Sequence, residues 1–272
     1  MSSFHLSLHD AELYRQAFRV DAPEPLPERH ITPRKLGYII VNAAADASAV
    51  LLGRDPAVAE KLPAELAAVP AEAAADTPAA AEAPEGKPKE SAPLTVERVL
   101  VPAQFGLVPH WVKSASDGRL RALKLVNAKI DNLTTGTAFR DAWLNGQRCI
   151  VPIQSFQVDD MRPGKALPTR ITRVDNQPMG AAGVWARWVG EDGEIITSYA
   201  LITINANAHA LMNRYGHHGN DKAMPAILNE GAYDAWLQAK VSKAKEFLRP
   251  YPAEKLRANP VEKGRKQPPS FL

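Results

Sequence analysis

Apolar positions along the chain recur at two spacings, and the switches between them set out the elements. In residues 7–20, Leu13, Ala17 and Val20 form one stripe with Tyr14 and Phe18 beside it, while Glu12, Arg15 and Gln16 point away. That pattern predicts a first helix. Ser7 and Asp10 have capping-box spacing, with aspartate in place of the usual glutamate. After a crossing studded with Pro23, Pro25 and Pro27, the short Ile- and Val-rich run 36–41 predicts a strand. Runs at 95–101, 169–174, 179–188, 195–204 and 224–228 predict further strands, with Gly190-Glu191-Asp192-Gly193 as a hairpin turn. Gly180, Gly183 and the alanines between them mark a strand that another backbone approaches closely. Helical spacing returns at 205–213, 232–239 and 242–248.

The middle of the chain is organised around residues 126–156. The apolar segment 123–126 followed by Asn127-Ala128-Lys129-Ile130-Asp131 predicts a strand end that presents side chains at a surface. Phe139 and Trp143, four apart, share one helical face. Cys149-Ile150-Val151-Pro152 predicts a short buried strand closed by its proline. Several short strands with few helices between them indicate an antiparallel-rich α+β domain, not a doubly wound sheet.

Composition changes this picture in one place. Between residues 64 and 93, Ala, Pro, Glu and Lys dominate, with almost no aromatic or branched residue after Val69. Such a segment cannot bury enough apolar surface to offset its ordering entropy. It is expected to be a disordered insertion within one domain spanning 1–260, or else a tethered segment that binds a protein partner. Residues 261–272 are expected to form a loose basic tail. The net charge of +3 permits a nucleic-acid partner without arguing for one. A single cysteine excludes an internal disulfide and an all-cysteine metal site, and Cys149 reads as a small buried hydrophobe. No long apolar run and no signal-like N-terminus occur, so the expectation is a monomeric cytoplasmic protein away from membranes.

Candidate chemistry is spread over several loops. Trp111, after Pro109-His110, is either a stacking platform for a nucleic-acid base or a lid over the core. Trp143, Trp185, Trp188 and Trp236 lie in apolar patterns and read as packing. Asn127 either holds a reacting group through its amide or ends a strand, and Lys129 is a phosphate contact or a solvated lysine. His217 and His218 are candidates for a proton shuttle or for plain surface residues. Arg140 and Arg187 are phosphate contacts or members of ion pairs. A metal at His217, His218 and Asp221 is disfavoured because adjacent histidines do not readily share one ion, so no metal and no cofactor are expected. Ser155 lacks the Gly-x-Ser-x-Gly setting of a serine hydrolase.

The order of the motifs adds what no single one carries. Ile31-Thr32-Pro33 precedes a strand, and Gly106-Leu107-Val108-Pro109-His110-Trp111 follows. Next come Asn127-Ala128-Lys129, Phe139-Arg140-Asp141-Ala142-Trp143 and Arg148-Cys149-Ile150-Val151-Pro152. Gly183-Val184-Trp185-Ala186-Arg187-Trp188, Met224-Pro225-Ala226-Ile227-Leu228 and Arg249-Pro250-Tyr251-Pro252-Ala253 complete the series. This ordered set, from about residue 30 to 260, resembles the SOS response-associated peptidase (SRAP) family. The resemblance implies a barrel-like α+β fold with flanking helices and a positively charged cleft for single-stranded DNA. It also implies an exposed cysteine at position 2 whose amine and thiol trap the aldehyde of an abasic site, assisted by an asparagine, a glutamate and a histidine. The same cysteine is credited with processing of the N-terminus.

This sequence departs from the family at the chemistry. Ser2-Ser3-Phe4 replaces the family's Cys-Gly-Arg start, Val158 occupies the glutamate position with Asp159 beside it, and Ala223 replaces an arginine before Met-Pro. The asparagine survives as Asn127, its basic follower as Lys129, and the histidine as His217 or His218. The resemblance therefore implies Ser2, Asn127 and His217 as the reacting set, with Trp111, Lys129, Arg140 and His218 toward DNA. The leading expectation is binding of single-stranded or abasic DNA in the SOS response, with crosslinking reduced or lost. The alternatives are Schiff-base and lyase chemistry by the Ser2 amine, and a non-catalytic partner-binding protein on the same fold.

Overall fold

The chain is described from a computed structural model that covers residues 4–44, 96–216 and 221–261. The insertion expected at 64–93 and, apart from Val261, the tail expected at 261–272 lie outside these residues, as do Ser2, His217 and His218.

The N-terminal stripe folds as a strand and a shorter helix. β1 (His5–Ser7) precedes α1 (Ala11–Phe18), so the helix begins three residues later than its capping-box spacing suggested. Ser7 is held in β1 by its neighbours, and its hydroxyl donates to the carbonyl of Glu28 at 2.6 Å. Asp10 is the cap instead, accepting from the Glu12 N–H at 2.9 Å. Tyr14 and Phe18 are buried, as the stripe requires.

A closed five-stranded barrel forms the centre. Its staves are β3 (Leu36–Asn42), β4 (Arg98–Phe105), β6 (Arg148–Asp160), β8 (Met179–Val189) and β9 (Ile195–Asn205). Antiparallel ladders join β4 to β3, β3 to β6, β6 to β8 and β8 to β9. One parallel joint, Gln104 opposite Ser198 and Phe105 opposite Tyr199, closes the ring. β2 (His30–Ile31) extends the sheet from β1, which pairs in turn with β6. β5 (Asn127–Lys129) lies parallel to β9, and β10 (Ala223–Pro225) pairs antiparallel with it. β7 (Leu167–Arg173) continues from β6. Alternating side chains fill the interior, where Tyr199, Phe105, Cys149 and Trp185 are fully or almost fully buried. Burial pushes the Cys149 thiol well above its usual pKa, which fits the inert packing role read from the sequence.

Helices cover the barrel. α2 (Ala115–Ala122) follows the Trp111 loop, and α3 (Arg140–Leu144) buries Trp143, with Phe139 at its N-cap. α4 (Tyr233–Gln238) and α5 (Val241–Ala244) close the chain's last third. Trp236 packs against Trp143, with ring centroids 6.3 Å apart, and its indole donates to the Cys149 carbonyl at 2.9 Å. All four tryptophans assigned to packing are buried.

Four local expectations are corrected, and one strand is added that no pattern announced. β6 does not stop at Pro152. That residue pairs with Gly180 and falls between Ile150, where β3 is hydrogen-bonded, and Ile153, where β1 takes over. A change of partner is where a missing N–H disturbs the ladder least. The segment 123–126 is a connector after α2, and the strand is Asn127–Lys129 itself. Residues 205–213 do not form the expected helix: Asn205 ends β9, turns follow, and only a single 3-10 turn forms at Met212–Arg214. The buried His209 ring takes the N–H groups of Leu211 and Met212 through Nδ1. Its Nε2–H is then left to donate to the Tyr251 carbonyl at 2.7 Å. β11 (Leu256–Pro260) is a strand on the edge of β7, with Leu256 buried in the core and Ala258 packed against it. Lastly, the small residues of β8 make room for side chains as well as backbone: a Cβ at Gly180 would lie 2.6 Å from the Tyr233 hydroxyl.

Candidate functional site

The site region forms at the C-terminal half of β9, which carries β5 on one edge and β10 on the other. In β5 the period-2 alternation turns Ala128 into the core, where it is fully buried. Asn127 and Lys129 therefore face the opposite side. Lys129 is exposed, whereas Asn127 is half-buried and its amide oxygen Oδ1 is closed off from solvent with no donor within reach. Buried acceptors are normally paired, so this oxygen is set up for a donor that the described chain does not supply.

Two other segments converge on the end of β6. β1 runs antiparallel to β6 with His5 opposite Phe156, so Phe4 stands on the side toward Val158. Val158, the residue expected from the resemblance to stand in place of a carboxylate, is buried in the core. Asp159 is half-buried next to it, and its carbonyl accepts from the Gly216 N–H at 2.8 Å. Asp160 is held by Arg162 at 2.7 Å; the hydrogen bonds to that guanidinium keep its carboxyl below the usual range. Arg162 in turn lies over the Tyr215 ring, 5.6 Å from its centre. Of the predicted histidines, the structure describes only the flanks. Gly216 is tied to β6 as above, and Asp221 accepts from the Asn207 amide at 3.2 Å.

A second group lies along the connector from β5 to α3. Trp111 is 41% exposed, and its indole donates to the Thr137 carbonyl at 3.2 Å. The Arg121 guanidinium sits 5.1 Å from the centre of its ring. The indole's polar edge is satisfied and part of the ring lies at the surface, with Arg121 over it. Arg140 is exposed, and its Nε lies 3.4 Å from Asp141, which also stands 3.4 Å from His110 Nδ1. Arg140 is thus both a surface cation and an ion-pair member. His110, Asp141 and Arg187 line one cleft of about 440 Å³. Among the described residues no group of three or more His, Cys, Asp or Glu is placed to hold a metal ion. No described helix is long and apolar enough to cross a membrane.

His5 is a residue that the sequence reading passed over. Phe4, Leu6 and Leu8 alternate around it, which points His5 outward, yet it is buried, with Phe105 and Tyr199 against its ring. Its Nε2 meets the Tyr199 hydroxyl at 3.2 Å, its ring stands edge-on to Phe105, and Nδ1 has no partner. Burial lowers its pKa to about 3. In the unfolded chain the ring protonates near pH 6.5. Above that pH neither state binds the proton and the stabilising contribution is complete. Below it the unfolded chain takes up a proton that the folded chain refuses, so stability falls by up to about 1.4 kcal/mol per pH unit. The decline ends near pH 3, where the folded ring also protonates. His5→Phe should flatten the loss of urea midpoint between about pH 6 and about pH 4; an unchanged slope would show that another group drives it.

Comparisons with known proteins bear on this arrangement. The family model described as SOS response associated peptidase (SRAP) matches residues 7–266. The abasic site processing protein YoqW of Bacillus subtilis is 28% identical over 162 residues, covering 58% of this chain and 67% of its own length. The abasic site processing protein HMCES of Gallus gallus is 27% identical over 188 residues, covering 61% of this chain. The match spans about half of that relative, 53% of its length. A crystal structure from Bordetella bronchiseptica superposes with a TM-score of 0.70 at 28% identity, covering 96% of this chain and all of the other. One from Bacteroides thetaiotaomicron gives a TM-score of 0.52 at 26% identity, covering 60% and 70%.

Proposed function

The chain belongs to the SOS response-associated peptidase family, and from that membership we propose that it binds single-stranded DNA at or near abasic sites. Stable crosslinking is reduced or lost, because Ser2 stands where the family has its cysteine. The observation that carries this reading is the buried, unpartnered Oδ1 of Asn127 in the strand paired with β9. A terminal amine or a sugar hydroxyl is the kind of donor that would satisfy it. Relatives of this chain named abasic site processing proteins supply the substrate class.

The chemistry follows from what remains. With Met1 removed, the Ser2 amine has a pKa of about 7.7–8.0 and is partly neutral at physiological pH. It can add to an aldehyde and lose water to give an imine. A serine hydroxyl is not ionised without an adjacent base, so no second bond closes on the imine carbon. Val158 supplies no proton transfer, and His217 is the group left for that work. Trp111 stacks a base, while Lys129, Arg140 and His218 face phosphates. No cofactor enters. The 64–93 insertion is left free for a protein partner.

The test is incubation with a single-stranded oligonucleotide carrying one abasic site, with and without borohydride, resolved on a denaturing gel. Non-covalent binding is followed in parallel. The expected result is salt-sensitive binding with no band that survives without reductant. A reductant-dependent band would add Schiff-base chemistry at Ser2 to the binding role. Failure to bind single strands at low salt would overturn the proposal in favour of a partner-binding protein, since phosphate contacts make affinity fall steeply with salt.

A further inference from the structure

A cleft of about 390 Å³ opens beside β1, on the side of α1 and β2, away from the Trp111 group. Arg29 and Arg170 reach its wall from two separate elements, the residue before β2 and the middle of β7. Seven other arginines, Arg15, Arg98, Arg119, Arg121, Arg140, Arg162 and Arg173, each hold a carboxylate. Arg29 and Arg170 form no ion pair among the described residues. Asp10 is the one carboxylate in the lining, and one of its oxygens is committed to the Glu12 N–H. His9 and His30 add ring nitrogens, so the cleft carries positive charge and an excess of donors over acceptors.

Its position connects it to the reacting end of the chain. The His30 ring contacts Phe4 at 6.0 Å, and Leu6 of β1 lines the cleft. From Leu6 back to Ser2 the chain can reach no more than about 14 Å. A strand whose sugar lies at the Ser2 amine therefore has further phosphates within range of the cleft. Guanidinium forks match phosphate oxygens in pairs, and two of them converging from different elements fix a phosphate's position as well as attract it.

We propose that Arg29 and Arg170 form a phosphate subsite that holds the backbone of the DNA strand beyond the N-terminal amine. The subsite rests on the DNA-binding reading above and adds to it a path for the strand past β1 and β2.

Each lost phosphate contact should lower the slope of log affinity against log salt by about 0.7 for a single strand. The experiment titrates Arg29→Ala, Arg170→Ala and the double variant with an intact single-stranded oligonucleotide across a salt series. Arg170→Gln is run beside them because Arg170 is half-buried, and thermal melts establish that each variant is folded. The expected result is a slope reduced by about 0.7 in each single variant and about 1.4 in the double. Folded variants that keep the wild-type slope, while the wild type binds, would overturn the subsite and leave DNA binding standing. No binding by the wild type at any salt would overturn both. A parallel titration with inorganic phosphate separates the sources. If the variants lose only that ligand and keep the DNA slope, the cleft serves free phosphate and the strand path is wrong.

Discussion

Ser2→Cys should turn an adduct that needs borohydride, or no adduct at all, into a band that survives a denaturing gel without reductant. The substitution changes one atom of the proposed reacting group. A cysteine thiol has a pKa near 8.5, about six units closer to neutrality than an alcohol, and its thiolate is strongly nucleophilic. Added to the imine carbon, it closes a five-membered ring; the amine keeps its bond and the thiol proton passes to the nitrogen. The expected gain runs from background to most of the amount that borohydride traps in the same chain. Intact mass must first show that Met1 is gone. If it is gone and no reductant-independent band forms, the terminal amine is not where the abasic sugar sits, and the role assigned to Asn127 falls with it. The companion change Val158→Glu should not be expected to help alone. Val158 is packed in the core, where an unpaired carboxylate costs several kcal/mol or takes up a proton.

Gly106→Ala should cost about 3–5 kcal/mol of stability, read as a drop in urea midpoint at unchanged slope. Two costs add. Gly106 has φ +106°, a backbone region that side chains enter only with strain. A Cβ there would lie 2.2 Å from the carbonyl oxygen of Ala122, and backbone cannot swing aside as a flexible side chain can. Gly106 also donates its N–H to the Tyr199 carbonyl at 2.8 Å, next to the parallel joint between β4 and β9. Gly193→Ala is the control: φ is +83° but nothing lies within 4 Å, so strain alone remains, about 1 kcal/mol. Equal effects at the two glycines would refute the steric part of the argument.

What the sequence made legible follows from how each signal arises. Trp143, Trp185, Trp188 and Trp236 sit in apolar patterns strong enough to identify them as core, and the β8–β9 hairpin is marked by its glycine-flanked turn. α2 was invisible because Ala115–Ala122 is mostly polar and has no apolar stripe; its Ser114 cap, accepting from Asp117, is the signal that remained. β6 was cut short by a rule about proline that holds inside a ladder but not where a strand changes partners. At the site, the polar run after residue 126 marked side chains presented at a surface, but only the structure shows that Asn127–Lys129 is itself the strand, with Ala128 in the core. Alternation gave no sign of His5, since a lone histidine between apolar neighbours reads as solvent-facing, yet all three residues of β1 are buried. No pattern announced Arg29 and Arg170, which are far apart in sequence and acquire meaning only when β2 and β7 bring them to one cleft.

The parallel joint has a consequence for how the protein is made. Four of the five barrel seams join antiparallel neighbours, and the last waits for Ser198 and Tyr199 to reach Gln104 and Phe105. A chain leaving the ribosome at about 5–20 residues per second spends several seconds with β4 presenting an open edge, while its partner is still being synthesised. Such long-range closure is slow, and an unpaired edge invites pairing with another chain. Yield in a cell should therefore respond to whatever shields that edge during synthesis, independently of how stable the finished barrel is.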